Sequence, residues 1–205
     1  MVSPVAPEAL LLLALLTLSP GPDTVLTLRQ AITRGERVAV ATAAGISLGT
    51  IVHASLSGAG LSLLLRESPG AFGVLRLLGA GFLAYLGLRS LWAAWQGEGP
   101  DLEAEGSPRS GFRDGLLTNL LNPKVLLFYL AFLPPLIPEG APFLGLAVFY
   151  GLSHAAMGMA WLGTVALGAA RLRPLLSRPA WRRGVEAAAG VLLLGFGIRL
   201  AFLHA

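Results

Sequence analysis

The chain has 205 residues, 55% of them hydrophobic and 13% charged, against about 25% charged in a typical soluble domain. So little polar surface cannot coat a water-facing globule, so an integral membrane protein is expected. There is no cysteine, which excludes disulfides, thiolate metal ligands and thiol redox chemistry. The net charge of +4 comes from arginines set between apolar runs, with no basic stripe of interleaved aromatics, so no nucleic-acid partner is expected.

In chain order, six apolar stretches approach the roughly 20 residues that a spanning helix needs. The first lies between Glu8 and Arg29, and its single charge is Asp23. It has no Lys or Arg ahead of Arg29 and no clear A-x-A site, so it is expected to be retained rather than removed as a signal peptide. The second, Val38 to Leu65, carries no fixed charge and holds His53. The third, Ser68 to Leu88, holds only Arg76 and continues to Trp92 and Trp95. The fourth, Gly115 to Pro138, holds only Lys124. The fifth, Gly140 to Ala170, lacks Asp, Glu, Lys and Arg, and the sixth, Ala187 to Ala205, holds only Arg199.

The arginines set an orientation. Arg29, Arg34 and Arg37 fall between the first two stretches, Arg89, Arg109 and Arg113 around the third loop, and Arg171, Arg173, Arg178, Arg182 and Arg183 in the fifth. The second loop has Arg66 and, at its far end, Arg76; the fourth has no basic residue. The positive-inside rule places the first, third and fifth loops in the cytoplasm and both termini outside. Trp92, Trp95 and Trp181 then fall at cytoplasmic helix ends, where interfacial aromatics belong. Residues 96–112, rich in Gly, Pro and acid, have the composition of a flexible linker. They divide the chain into residues 1–95 and 113–205, three stretches each.

The halves resemble one another. Gly21-Pro22-Asp23 interrupts the first stretch, and Asn122-Pro123-Lys124 interrupts the fourth. Pro22 and Pro123 are 101 residues apart, as are Asp23 and Lys124, and His53 and His154. An odd number of crossings per repeat inverts the second copy. Inverted repeats with broken helices at matching places are a mark of secondary transporters, with the substrate near the midplane. The expected fold is therefore an all-α membrane protein of six spans in two inverted three-helix repeats, with helices one and four broken.

Proline inside a helix removes an N–H and frees a carbonyl a turn earlier. Freed groups persist in a membrane only where they face protein or a wet cavity. A helix restarting at Pro22 presents free N–H groups and a positive dipole end, which attract carboxylates. Asp23 and Lys124 are the two charges placed deepest in the apolar stretches. Two readings stand side by side. They form an ion pair that locks the halves, or they bind a zwitterion, with Lys124 and the half-helix N–H groups on its carboxylate and Asp23 on its ammonium. His53 and His154 either move protons or are packed against a hydrogen-bonding neighbour. Two histidines without Cys or a carboxylate cluster do not make a metal site, and no cofactor is expected. Arg89 and Arg199, near stretch ends, are expected to snorkel. Gly45-x-x-x-Gly49 is expected to allow close helix packing.

SPGPD in the first stretch, the glycine-rich second stretch and LLNPKVLLFYLAFLPP in the fourth together resemble the LysE/RhtB-type amino-acid exporters (LysE family translocators). The likeness covers nearly the whole chain. In that family the position after PGP is commonly Asn or Asp, and here it is Asp23. The resemblance implies a multi-pass exporter of the bacterial inner membrane that carries amino acids or their derivatives against protons, with central residues on Gly21, Pro22, Asp23, Asn122, Pro123 and Lys124. The implied partners are the amino acid, protons and the lipid bilayer; a homo-oligomer is compatible with the sequence. Two other classes fit the sequence less well. An exporter of metals or small cations would need more carboxylate or histidine ligands in the membrane, and an enzyme would need a nucleophile, base and acid set that is not evident.

Overall fold

The computed structural model describes residues 7–59, 69–96, 107–129, 133–138, 140–176 and 179–202. Among these residues the chain forms eight α-helices and no strand. They are α1 (Pro7–Leu18), α2 (Pro22–Arg34), α3 (Glu36–Gly58), α4 (Pro69–Gln96), α5 (Pro108–Leu120), α6 (Pro123–Leu127), α7 (Phe143–Leu176) and α8 (Pro179–Ala201), with a 3₁₀ turn at Pro134–Leu136.

Proline opens six of these helices, where its missing N–H has no intrahelical acceptor to lose. The first break comes where expected: α1 ends at Leu18, α2 restarts at Pro22, and the two are bent by 45°. The second comes at Asn122, between α5 and α6. Beyond α6 the Leu133 N–H reaches back five residues to the Phe128 carbonyl at 2.9 Å, a widened π-type turn.

Among the described residues, three helices are long and apolar enough to cross a membrane: α3, residues 77–96 of α4, and residues 143–172 of α7. The bent pair α1–α2 makes a fourth if it is one span. The fourth expected stretch falls short of a single spanning helix because the break at Asn122 and the 3₁₀ turn at Pro134–Leu136 cut it into short pieces. The sixth begins earlier than expected, at Pro179, and takes Arg182, Arg183 and Glu186 into α8. The expected first loop is reduced to a turn at Gly35, whose φ of 93° suits glycine; Arg29 and Arg34 lie inside α2 instead. Helices also enter the expected linker, through Gln96 and from Pro108, while residues 97–106 lie outside the described residues.

Helices approach closely where glycine permits it. A Cβ at Gly45 would strike the Phe112 carbonyl oxygen, one at Gly49 would lie 2.6 Å from Asn119 Oδ1, and one at Gly115 would strike the Thr42 carbonyl oxygen. The pairs Val38 with Gly111, Thr42 with Gly115, Gly45 with Leu116 and Gly49 with Asn119 rise in the same order along both helices, so α3 and α5 run parallel, backbone on backbone, as small-residue stripes allow. Gly58 faces Leu144 and Ala147 while Gly151 faces Ala54, so α3 and α7 run antiparallel. Gly87 faces Gly190 and Leu194 while Gly197 faces Ala80, so α4 and α8 are antiparallel too.

The outer surface is apolar. Leu11, Leu15, Leu48, Leu56, Leu78, Tyr85, Leu152, Leu167, Val191 and Ile198 are all well exposed, a belt that water would not tolerate but lipid would. Trp92 and Trp95, ring centroids 5.3 Å apart, stand exposed near the end of α4, and Trp181 is exposed near the start of α8.

Candidate functional site

The two breaks meet, and a side chain of the second satisfies stranded backbone of the first. The end of α1 leaves carbonyls without partners. Lys124, from the second break, donates from Nζ to the Leu16 carbonyl at 2.9 Å and the Ser19 carbonyl at 2.7 Å. A cation at a helix C-terminus also suits the dipole. In return Asp23, in the first turn of α2, accepts a hydrogen bond from Asn119 Nδ2 on α5 at 2.9 Å. An acid in the first turn of a helix is favoured for the same reason with the sign reversed. Among the described residues, no ion pair joins Asp23 to Lys124. The locking pair is not what joins the breaks; Lys124 donates to the first half, and Asp23 accepts from the second.

Asn122 caps α6, its Oδ1 accepting from the Lys124 backbone N–H at 3.1 Å. Its Nδ2 is buried with no partner, as are Asp23 Oδ1, Asn119 Oδ1 and Thr118 Oγ1. Pro22 and Gly21 are buried at the start of α2, and Pro123 opens α6. Gly21 has an extended backbone open to any residue, φ −169°. Its missing side chain matters for space, since a Cβ there would stand 3.4 Å from Lys124 Nζ.

His53 and His154 are both buried, each 6% exposed. His53 Nε2 lies 3.1 Å from the Asn119 carbonyl oxygen, and because a carbonyl only accepts, His53 carries a proton on Nε2 and donates it. It thereby satisfies a carbonyl of α5 next to the second break. His154 Nδ1 lies 3.1 Å from the Tyr129 hydroxyl. Tyr129 stands between the two imidazoles, with centroids 6.2 Å from His53 and 6.0 Å from His154, and its carbonyl accepts from Ser57 Oγ at 2.7 Å.

Two cavities flank Lys124. A small one, about 30 Å³, is lined by Asp23, Thr24, Ser47, Asn119, Lys124 and His154, among others. A larger one, about 300 Å³, is lined by Gly21, Pro22, Asn122, Lys124, Leu127 and Arg199, together with Leu83 and Phe196. The expected residues Gly21, Pro22, Asp23, Asn122 and Lys124 are thus brought to one place, His154 borders it, and His53 backs it through Asn119.

Sequence reasoning passed over Asn119 and Tyr129 and read Arg199 only as a snorkelling end residue. Asn119 and Tyr129 carry no charge, and a neutral polar side chain in an apolar run gives a weak signal. It also set Arg29 in a loop. Arg29 is 8% exposed, and its guanidinium meets Glu186 of α8 through Nε at 2.7 Å and Nη2 at 3.2 Å. Nearby, Arg34 donates to Ser110 Oγ at 3.0 Å and lies 3.9 Å from Asp114. These pairs tie α2 to α8 and α5 at the end of α2 away from the break.

A family model described as LysE type translocator matches residues 14–203. A leucine efflux protein of Salmonella typhimurium is 29% identical over 192 residues, covering 92% of this chain and 91% of the relative. The leucine efflux protein of Salmonella typhi matches to the same extent. A homoserine/homoserine lactone efflux protein of Salmonella typhimurium is 32% identical, covering 94% of this chain and 93% of the relative. No solved structure matches the chain.

Proposed function

The chain belongs to the LysE type translocator family, a multi-pass membrane protein, and from that premise we propose that it exports a neutral amino acid from the bacterial cytoplasm in exchange for protons. The relatives are named as efflux proteins for leucine and for homoserine and its lactone. The observation that carries the reading is the meeting of two helix breaks at one cavity that holds both an acid and a base, Asp23 and Lys124. Asp23 Oδ1, without a partner, is free to receive the substrate ammonium or a proton. The first N–H groups of α2 and the third N–H of Lys124 are suited to the carboxylate. Gly21, Pro22, Asn122 and Pro123 hold these groups in place, and His154, with Tyr129 behind it, is the nearest relay for a coupled proton.

In this reading the halves 1–95 and 113–205 are inverted repeats joined by the linker 96–112, and their rocking gives alternating access. The antiparallel pairing of α3 with α7 and of α4 with α8 supports it, because an axis between the halves would relate each such pair. The arginines favour an inner-membrane orientation with both termini outside.

Counterflow tests the proposal. In vesicles loaded with unlabelled L-leucine, the wild type should draw in labelled L-leucine, and Asp23→Asn and Lys124→Met should each slow exchange by about tenfold or more, the effect of losing a charged hydrogen-bonding group. Exchange at the wild-type rate in both variants would sink the site assignment.

A further inference from the structure

We propose that the larger cavity is a second substrate subsite, with Arg199 as its anion-binding residue. It would take the carboxylate of an amino acid while the apolar side chain lies against Leu83, Leu127 and Phe196. The inference rests on the export reading above and adds to it a place and a substrate class.

The lining is one-sided in its chemistry. Lys124 brings an ammonium and Arg199 a guanidinium. Both are donors, and neither has an accepting atom in its side chain. No Asp or Glu lines the cavity, and among the described residues no carboxylate pairs with Arg199. Such a wall favours an anion, and arginine's planar fork suits a carboxylate in particular. It also repels a second positive charge, so lysine or arginine would be poor occupants. An arginine near a helix end often merely snorkels, but Arg199 borders a cavity that a second cation, Lys124, also lines.

Size gives the subsite its role. The small cavity beside Asp23, about 30 Å³, has room for a water or two. The larger, about 300 Å³, reaches the range of small-ligand pockets. In this conformation the amino acid therefore fits beside Arg199 and not beside Asp23. Lys124 lines both cavities, so a carboxylate can pass from one to the other without leaving its ammonium. Arg199 lies in the last turn of α8, and the subsite is a stage on the way out.

The test measures L-leucine transport kinetics in vesicles of defined lipid for the wild type, Arg199→Gln and Arg199→Lys. The expected result is a KM raised about tenfold in Arg199→Gln, the size of one charge-assisted hydrogen bond, with kcat little changed and partial rescue in Arg199→Lys. Transport of leucinamide, which lacks the carboxylate, should not respond to Arg199→Gln. Leucine KM values equal to wild type in Arg199→Gln overturn the subsite while leaving the export reading intact. So does a change that tracks the anionic-lipid content of the vesicles, since the guanidinium then serves a lipid phosphate. A wild-type protein that moves no amino acid overturns both.

Discussion

Gly49, Asn119 and Asp23 form a chain of dependence one residue wide. Gly49 leaves room for the Asn119 side chain, and Asn119 in turn donates to Asp23. Gly49→Ala would set a Cβ 2.6 Å from Asn119 Oδ1, so Asn119 must turn away from Asp23. Leucine exchange should fall by about tenfold, the loss of a hydrogen bond to a charged group, and exchange at the wild-type rate would show that Asn119 does not position Asp23. Lys124→Met should also lower the melting temperature, because it strands the Leu16 and Ser19 carbonyls, at about 1–3 kcal/mol for each unsatisfied group. Asp23, Lys124 and the prolines beside them were legible in the sequence because charges and helix-breakers stand out in an apolar run. Asn119 and Tyr129 were not, since a neutral polar group there costs little enough to be common. Arg199 was seen but read as a snorkelling end residue; only the fold shows which cavity it borders.

Helices here are joined in two ways, by glycine at close crossings and by charge at the far end of α2. The parallel crossing of α3 with α5 depends on Gly45 and Gly115, where backbone meets backbone. Gly115→Val should force α3 and α5 apart and lower stability by about 1–3 kcal/mol, read as a drop in melting temperature in detergent. Arg29 and Glu186 are both buried, with side chains 9% and 3% exposed. Removing one charge leaves the other stranded, which costs about 3–5 kcal/mol. Glu186→Gln should therefore destabilise the protein more than Gly115→Val does, and an unchanged melting curve would mean that water reaches the pair. The glycine stripe of α3 was readable as a motif, although its partner helix was not. The pair could not be read at all, since Arg29 and Glu186 are 157 residues apart and nothing local marks them as partners. Treating Arg29 as a loop charge followed from its position after an apolar run; α2 continues because its far turns face α8 and α5 rather than lipid.

At the scale of the molecule, the all-helical, membrane-borne character followed from composition, and the breaks from two short motifs. The number of spans did not follow so simply, because α5–α6 and α8 carry breaks and charges that only packing against neighbours makes tolerable. Orientation is open to a direct check. The chain has no cysteine, so a single cysteine at Ser107, exposed ahead of α5, reports one side of the membrane. It should resist a membrane-impermeant maleimide in intact cells and react after permeabilisation; labelling in intact cells would reverse the assigned orientation. The central claim, that Asp23 receives the substrate ammonium, is tested most directly by competition with 4-methylpentanoate, which is leucine without its amino group. Against labelled leucine in counterflow, the wild type should bind leucine far better than the analogue, and Asp23→Asn should lose most of that preference. A variant that keeps the full preference would contradict the account.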